Sequence, residues 1–499
     1  MPSIGYEFLH ESLTLTAFPP IRPARIMPVT RIALANGVLA VPKHVAPQNL
    51  DPLSHVLFAL KHEGCNLQIL AEALPKIDAT SMLAELNAAP TGGYIRVACF
   101  LWEHFNGKEL SDIPAIGGPF MPVFNPEWYL TGSTRRDKRW RVDFNGLGSL
   151  HYCATVEQTP YLRKAIKSDI LGRAKTFMET LDQKELDRAL TWAYLHETED
   201  SFAIERESPT EDKARAFVAL LQQAHDQQAL TEDYLVGLQN AAITNPYDKA
   251  ASYRTEQNWL RGPLNGALGV TYLPPPPAMV PMLMQELAEF TRWAPKAIDP
   301  VVAAAIACFG FVFIHPFMDG NGRLSRFLFH YVLCQSGRLD KGLLLPVSIA
   351  MKRHEEDYLA TLQTYSKPAR QRWRVLWIDD GNYANKFVGT EAMYRYWDAT
   401  PCAEFGYRMA EQALEIELRK ETIFLAQYDA IYRAVNDRFD VRGDTLVILI
   451  RGCLEQNGVV SKNRRKQFAG QVSVDVFDLI ETMAQHLLET APEARTEDP

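Results

Sequence analysis

The chain has 499 residues, with 52 Lys and Arg against 60 Asp and Glu, a formal net charge of −8. That balance argues against bulk binding of nucleic acid or an anionic membrane, and 47% hydrophobic with 22% charged residues is the composition of a folded soluble protein. At roughly 150 residues per domain the length predicts about three domains with sizeable cores. The seven cysteines are dispersed and form no C-x-x-C pair, which reads as reduced thiols in a cytoplasmic setting without a zinc ribbon or disulfide framework. In chain order, Pro19, Pro20, Pro23 and Pro28 mark the first 30 residues as an extended lead-in arm. Helical patterns follow over Pro52–Ala73, Thr80–Ala88 and Tyr94–Phe105, and the alternation Trp140-Arg141-Val142-Asp143-Phe144 points to strands or a long connection between Arg135 and Val156.

From Leu181 the pattern is again mainly helical. Pro209 opens one run and Thr231 caps another, whereas Tyr253–Gly269, rich in Gly and Asn, suits a hairpin. Ala278–Trp293 reads as an amphipathic helix. The longest apolar stretch, Val301–Ile314, falls short of the roughly 20 residues needed to span a bilayer, so no membrane partner is expected and a buried helix is. Towards the C-terminus, helices are predicted over Glu411–Arg438, Thr445–Gln456 and Val474–Glu489.

The apolar helix delivers the chain into His315-Pro316-Phe317-Met318-Asp319-Gly320-Asn321-Gly322-Arg323-Leu324-Ser325-Arg326, with a second helix following. A loop at a helix N-terminus offers backbone N–H groups and the positive dipole end to an anion. Gly320 and Gly322 let the backbone approach a phosphate, and Arg323 and Arg326, three apart, project from one helical face. His315 has the side chain suited to removing a proton near neutral pH, and Asp319 offers a hard oxygen ligand to Mg²⁺. Taken singly, a histidine after an apolar helix is more often a core residue and two arginines a solvated face. Their conjunction within one short loop points to a polyphosphate cradle with a base beside it.

Position for position, this stretch resembles the signature of the Fic (Fido) family, H-x-F-x-[D/E]-G-N-G-R-x-x-R. The resemblance implies a mainly α fold, a helical core with a short β-hairpin flap, here flanked by an N-terminal mixed region and a C-terminal helical region. It also implies transfer of AMP from ATP to a Ser, Thr or Tyr hydroxyl of a protein target, the chain itself included. In that reading His315 is the general base, Asp319 the Mg²⁺ ligand, Gly320, Asn321 and Gly322 the anion hole, Arg323 a phosphate ligand and Arg326 the residue reaching the γ-phosphate. Tyr253–Trp259 resembles the flap that aligns the target, with Arg254, Thr255, Asn258 and Trp259 as docking residues. Ser201-Phe202-Ala203-Ile204-Glu205-Arg206 resembles the family's inhibitory motif, [S/T]-x-x-x-E-[G/N], with Arg206 departing from it; the implied brake is a pair between Glu205 and Arg326. A further departure is Lys352-Arg353-His354, where many relatives carry an Asn that helps hold the nucleotide.

The domain division that follows is a region 1–190 of recognition or structural role, an inhibitory segment 191–215, a catalytic core 216–380 and a helical region 381–499. Removal of AMP, use of another nucleotide and homo-oligomerisation are left open by these residues. So is a nucleotide-sensing regulator using the basic cluster Ser461–Lys466 on DNA, although a charge run of this kind is more often a solvated turn and nucleic acid is not the expected partner.

Overall fold

The computed structural model describes residues 2–226, 228–340, 342–379 and 382–490. Helices dominate, and the sheets are small, with two to four strands each. The chain divides into two compact units, each assembled from separated segments. The first comprises Met1–Ser168, Glu211–Gly337 and Glu355–Tyr407; the second comprises Asp169–Thr210, Arg338–His354 and Arg408–Pro499.

In the first unit the N-terminal segment differs from the expected extended arm. A helix spans Gly5–Ser12, because Tyr6 and Leu9 fall on one buried face and every proline of the cluster lies beyond it. The helix expected over Pro52–Ala73 is two, Pro52–His62 and Leu67–Ala73, separated where Gly64 takes the left-handed conformation (φ +92°) that ends a helix. With Ala79–Ala88 and Gly93–Asn106 they enclose a core to which Leu70, Cys99, Trp140 and Phe144 belong. The predicted strands form Arg135–Asp137, Val142–Phe144, Leu147–Gly148 and Cys153–Thr155.

The same unit contains the apolar helix, Pro300–Ile314, which begins where Asp299 accepts hydrogen bonds from the N–H groups of Val301 (2.9 Å) and Val302 (3.2 Å). Every one of its residues is buried. A helix apolar on all sides must be surrounded, and Val280–Ala297 and Asn321–Gln335 pack against it. Two features fall outside the mainly helical reading after Leu181: an antiparallel hairpin of Trp373–Asp379 and Asn382–Phe387, sharing a small core with Val270, Leu273 and Trp259, and the strand Tyr396–Asp398, parallel to Cys153–Thr155.

The second unit contains the helix Gln183–Ile204, opened by a capping box in which Asp182 and Glu185 each accept from the other's backbone N–H. Glu197 on this helix is wholly buried and accepts from the Ser348 N–H at 2.7 Å, fixing the helix Val347–Arg353 against it. Arg419–Asn436, Gly443–Glu455, Lys462–Phe468 and Val474–Thr490 close a separate core around Ile431, Leu449, Ile450 and Ile480. No helix among the described residues is long and apolar enough to cross a membrane, and no cysteine among them is in a disulfide.

Candidate active site

His315 is the residue on which the apolar helix ends. It takes the left-handed conformation (φ +52°, ψ +60°), its N–H bonds back to the Phe311 carbonyl at 2.8 Å, and the chain turns sharply away. Such a conformation is uncommon for a residue with a Cβ and is retained where surrounding structure holds it. Arg254 supplies part of that hold, donating from Nε to the His315 carbonyl at 2.8 Å while its own N–H bonds the Pro316 carbonyl at 2.8 Å. The imidazole is buried, with Nδ1 at 3.2 Å from the Val312 carbonyl. A carbonyl can only accept, so Nδ1 carries the proton and Nε2 presents the lone pair. That is the tautomer of a general base.

The loop beyond is tied internally. Phe317 is fully buried, and Asn321 grips its backbone at both ends, Oδ1 accepting from the Phe317 N–H at 3.0 Å and Nδ2 donating to the Phe317 carbonyl at 2.8 Å. The Asn321 side chain therefore shapes the loop, and its contribution to an anion is the backbone N–H. Gly320 stands at the N-cap with φ +84°, where a Cβ would lie 3.0 Å from Ile243, so both conformation and space require glycine. No side chain caps the helix Asn321–Gln335, in contrast to the caps of Asp51, Thr231 and Asp299 on other helices of this unit. Its first-turn N–H groups, those of Asn321 and Gly322 among them, have no intrahelical acceptor.

Arg323 is 1% exposed, and its guanidinium donates to the Ala242 carbonyl (3.2 Å), Thr244 Oγ1 (3.3 Å) and Asp319 Oδ2 (3.3 Å). The Asp319 side chain is 43% exposed. A half-exposed carboxylate beside a fixed guanidinium fits a Mg²⁺ that draws its other ligands from phosphate oxygens and water. No group of three or more His, Cys, Asp or Glu side chains that could hold a metal occurs among the described residues. Arg326 is wholly buried one helical turn on.

The segment expected to hold a flap contains an antiparallel pair, Leu260–Arg261 with Val270–Tyr272, which begins after Tyr253–Trp259 and not within it. The residues expected to dock a target divide in two. Thr255 is exposed and Trp259 half-buried, its ring 5.3 Å from that of Tyr383. Arg254 and Asn258 are instead buried and face the catalytic loop: Asn258 Nδ2 donates to the Phe317 carbonyl at 3.1 Å, and Arg254 Nη2 donates to the Pro275 carbonyl at 2.5 Å. Burial lowers the Arg254 guanidinium to about 10, which leaves it charged at neutral pH. Gln239, which sequence reading passed over, is completely buried; its amide donates to the Asp319 carbonyl (3.2 Å) and the Asp248 carbonyl (2.9 Å) and accepts from the Ala250 N–H (3.0 Å). Ser201 and Glu205 belong to the second unit, Ser201 wholly buried and Glu205 exposed at the C-cap of Gln183–Ile204.

Residues 229–333 match the model of the Fic/DOC family. A probable protein adenylyltransferase of Aquifex aeolicus is 35% identical over 95 residues, 19% of this chain and 27% of that protein. The protein adenylyltransferase Fic of Drosophila melanogaster is 41% identical over 70 residues, 13% of this chain and 14% of that protein. The similarity thus spans about a quarter or less of the length of these curated relatives. Among solved structures, a Fic family protein from Desulfovibrio desulfuricans aligns over 64% of this chain and 87% of its own at 22% identity, with a TM-score of 0.37. Fic-1 from C. elegans aligns over 73% of this chain and 90% of its own at 14% identity, with a TM-score of 0.33.

Proposed function

Residues 229–333 constitute a Fic/DOC family domain, and from that premise we propose that the chain is a protein adenylyltransferase acting on a Ser, Thr or Tyr hydroxyl. The observation carrying this reading is the placement of a Nδ1-protonated His315 five residues before an uncapped helix N-terminus that bears Arg323 and Arg326. The naming of similar proteins as adenylyltransferases supports it.

In this mechanism the N–H groups of the first turn and the two arginines hold the polyphosphate of ATP, so the α-phosphorus is presented to the flap side of the loop. His315 Nε2 takes the proton of the incoming hydroxyl as its oxygen bonds to the α-phosphorus. The bond from the α-phosphorus to the bridging oxygen breaks, and pyrophosphate leaves. Asp319 would hold a Mg²⁺, which supplies charge neutralisation to the phosphates when bound. The chain's own contribution is position and preorganised charge. ATP labelled at the α or the γ phosphorus tests the chemistry: label retained on protein from the α position alone, and lost in His315→Ala, is the expected result. Retention from the γ position would make the enzyme a kinase.

Regulation by Glu205 belongs to the same proposal. Its support is the spacing of Ser201 and Glu205 at the end of Gln183–Ile204, with Glu197 and Ser201 on that helix wholly buried and therefore fixed. Glu205 would compete with the γ-phosphate for Arg326 and keep ATP in an unproductive pose. Glu205→Gly is expected to raise the rate of AMP incorporation at least about tenfold, the effect of one lost ion-pair-scale restraint; an unchanged rate refutes the brake.

A further inference from the structure

Away from the catalytic loop, the first unit contains a cavity of about 800 Å³, a volume typical of sites for small organic molecules. The rings of Phe18, Trp128, Tyr129 and Trp397 are among its walls. Four carboxyl groups line the same space, those of Glu63, Glu127, Glu157 and Asp398. Glu63 Oε1 accepts from the Tyr6 N–H at 3.0 Å, but Oε2 is buried and no donor among the described residues reaches it. Burial pushes the Glu63 carboxyl up to about 8 and also raises that of Asp398, despite the hydrogen bonds Asp398 accepts from Thr400.

The arginines on the walls already have partners there. Arg22 is paired with Glu157, and Arg163 donates to the Glu127 carbonyl at 2.7 Å. Burial lowers His62 from its ordinary value, so its ring is largely neutral at pH 7. An anion would meet the carboxyls of Glu63 and Asp398 here, whereas a cation beside Glu63 Oε2 would draw off the proton that burial leaves on this carboxyl at neutral pH. A cation answers both carboxyls and finds tyrosine and tryptophan faces around it.

We propose that this cavity is a binding site for a small organic ammonium ion, its charge paired with Glu63 and Asp398 and its alkyl groups against Trp128, Tyr129 and Trp397. The cavity wall also includes Tyr365, whose ring lies 4.3 Å from that of Phe313, two residues before His315.

Isothermal titration of the full chain with choline and with benzyltrimethylammonium tests the site, with 3,3-dimethylbutan-1-ol as the uncharged isostere of choline. Saturable one-site binding of at least one cation is expected, with the alcohol at least about tenfold weaker than choline. Glu63→Gln keeps the volume and the acceptor for the Tyr6 N–H, and should weaken cation binding at least about tenfold. Trp128→Ala, at a partly exposed position that the fold tolerates, should weaken it several-fold and serves as the second variant if Glu63→Gln does not fold. Absence of saturation by both cations at millimolar concentration overturns the proposal. So does an alcohol that binds as tightly as choline, or cation affinity unchanged in the variants.

Discussion

Arg254 reaches across 61 positions of sequence to the His315 carbonyl, and with the same guanidinium holds the carbonyls of Glu256 and Pro275. Three acceptors in different directions suit a rigid fork and cannot be matched by a single ammonium. Arg254→Ala is therefore expected to cost about 3 kcal/mol of stability through buried carbonyls left without donors, measured by denaturant unfolding, and to lower kcat more than it raises KM for ATP. Arg254→Lys should not restore either quantity; full rescue by lysine would show that charge alone is needed. The legibility of the site divides along the same line. His315, Asp319, Gly320 and the two arginines were readable because their spacing is local and their chemistry is carried by residue type. Arg254, Asn258 and Gln239 act on backbone carbonyls of the distant loop, and a backbone acceptor leaves no trace in residue identity, so the first two read as surface docking groups and the third as nothing in particular.

The apolar helix Pro300–Ile314 is the element that positions the base, and its N-terminus rests on Asp299. Loss of that cap in Asp299→Ala should cost about 1 kcal/mol, seen as a lower Tm with the adenylylation rate per folded molecule nearly unchanged. A large rate loss at unchanged Tm would mean that Asp299 takes part in the site. This helix was legible because a run apolar on every side has one stable environment, a surrounded one. The hairpin Trp373–Phe387 was not, since Leu376, Trp377 and Ile378 are consecutive, apolar and all more than half exposed. A strand that exposes both faces at its end lacks the period-two alternation by which strands are recognised. The short hairpin of Leu260–Arg261 with Val270–Tyr272 was instead expected from the glycine and asparagine content of Tyr253–Gly269. In the helix Lys462–Phe468, Arg465 pairs with Asp478 and Glu481 within the same unit. Part of the basic cluster is thereby committed to the fold, on a helix and not in a turn.

At the scale of the molecule, a net charge of −8 is compatible with the anion-binding role proposed for the loop. The loop needs only a helix N-terminus and two buried arginines, so global charge and local site are independent. Composition indicated several cores, and the structure has separate ones around Leu70 and around Ile450. Each compact unit, however, is assembled from three stretches of sequence, an interleaving that no local composition shift records. The Ser201–Glu205 segment falls in one unit and the loop His315–Arg326 in the other. Intact-mass spectrometry of Glu205→Gly and of Glu205→Gly/His315→Ala, each incubated with ATP and Mg²⁺, tests the central claim most directly. The single variant should gain the mass of one or more adenylyl groups and the double variant none; equal gains in both, a phosphoryl increment, or no gain in the single variant would contradict it.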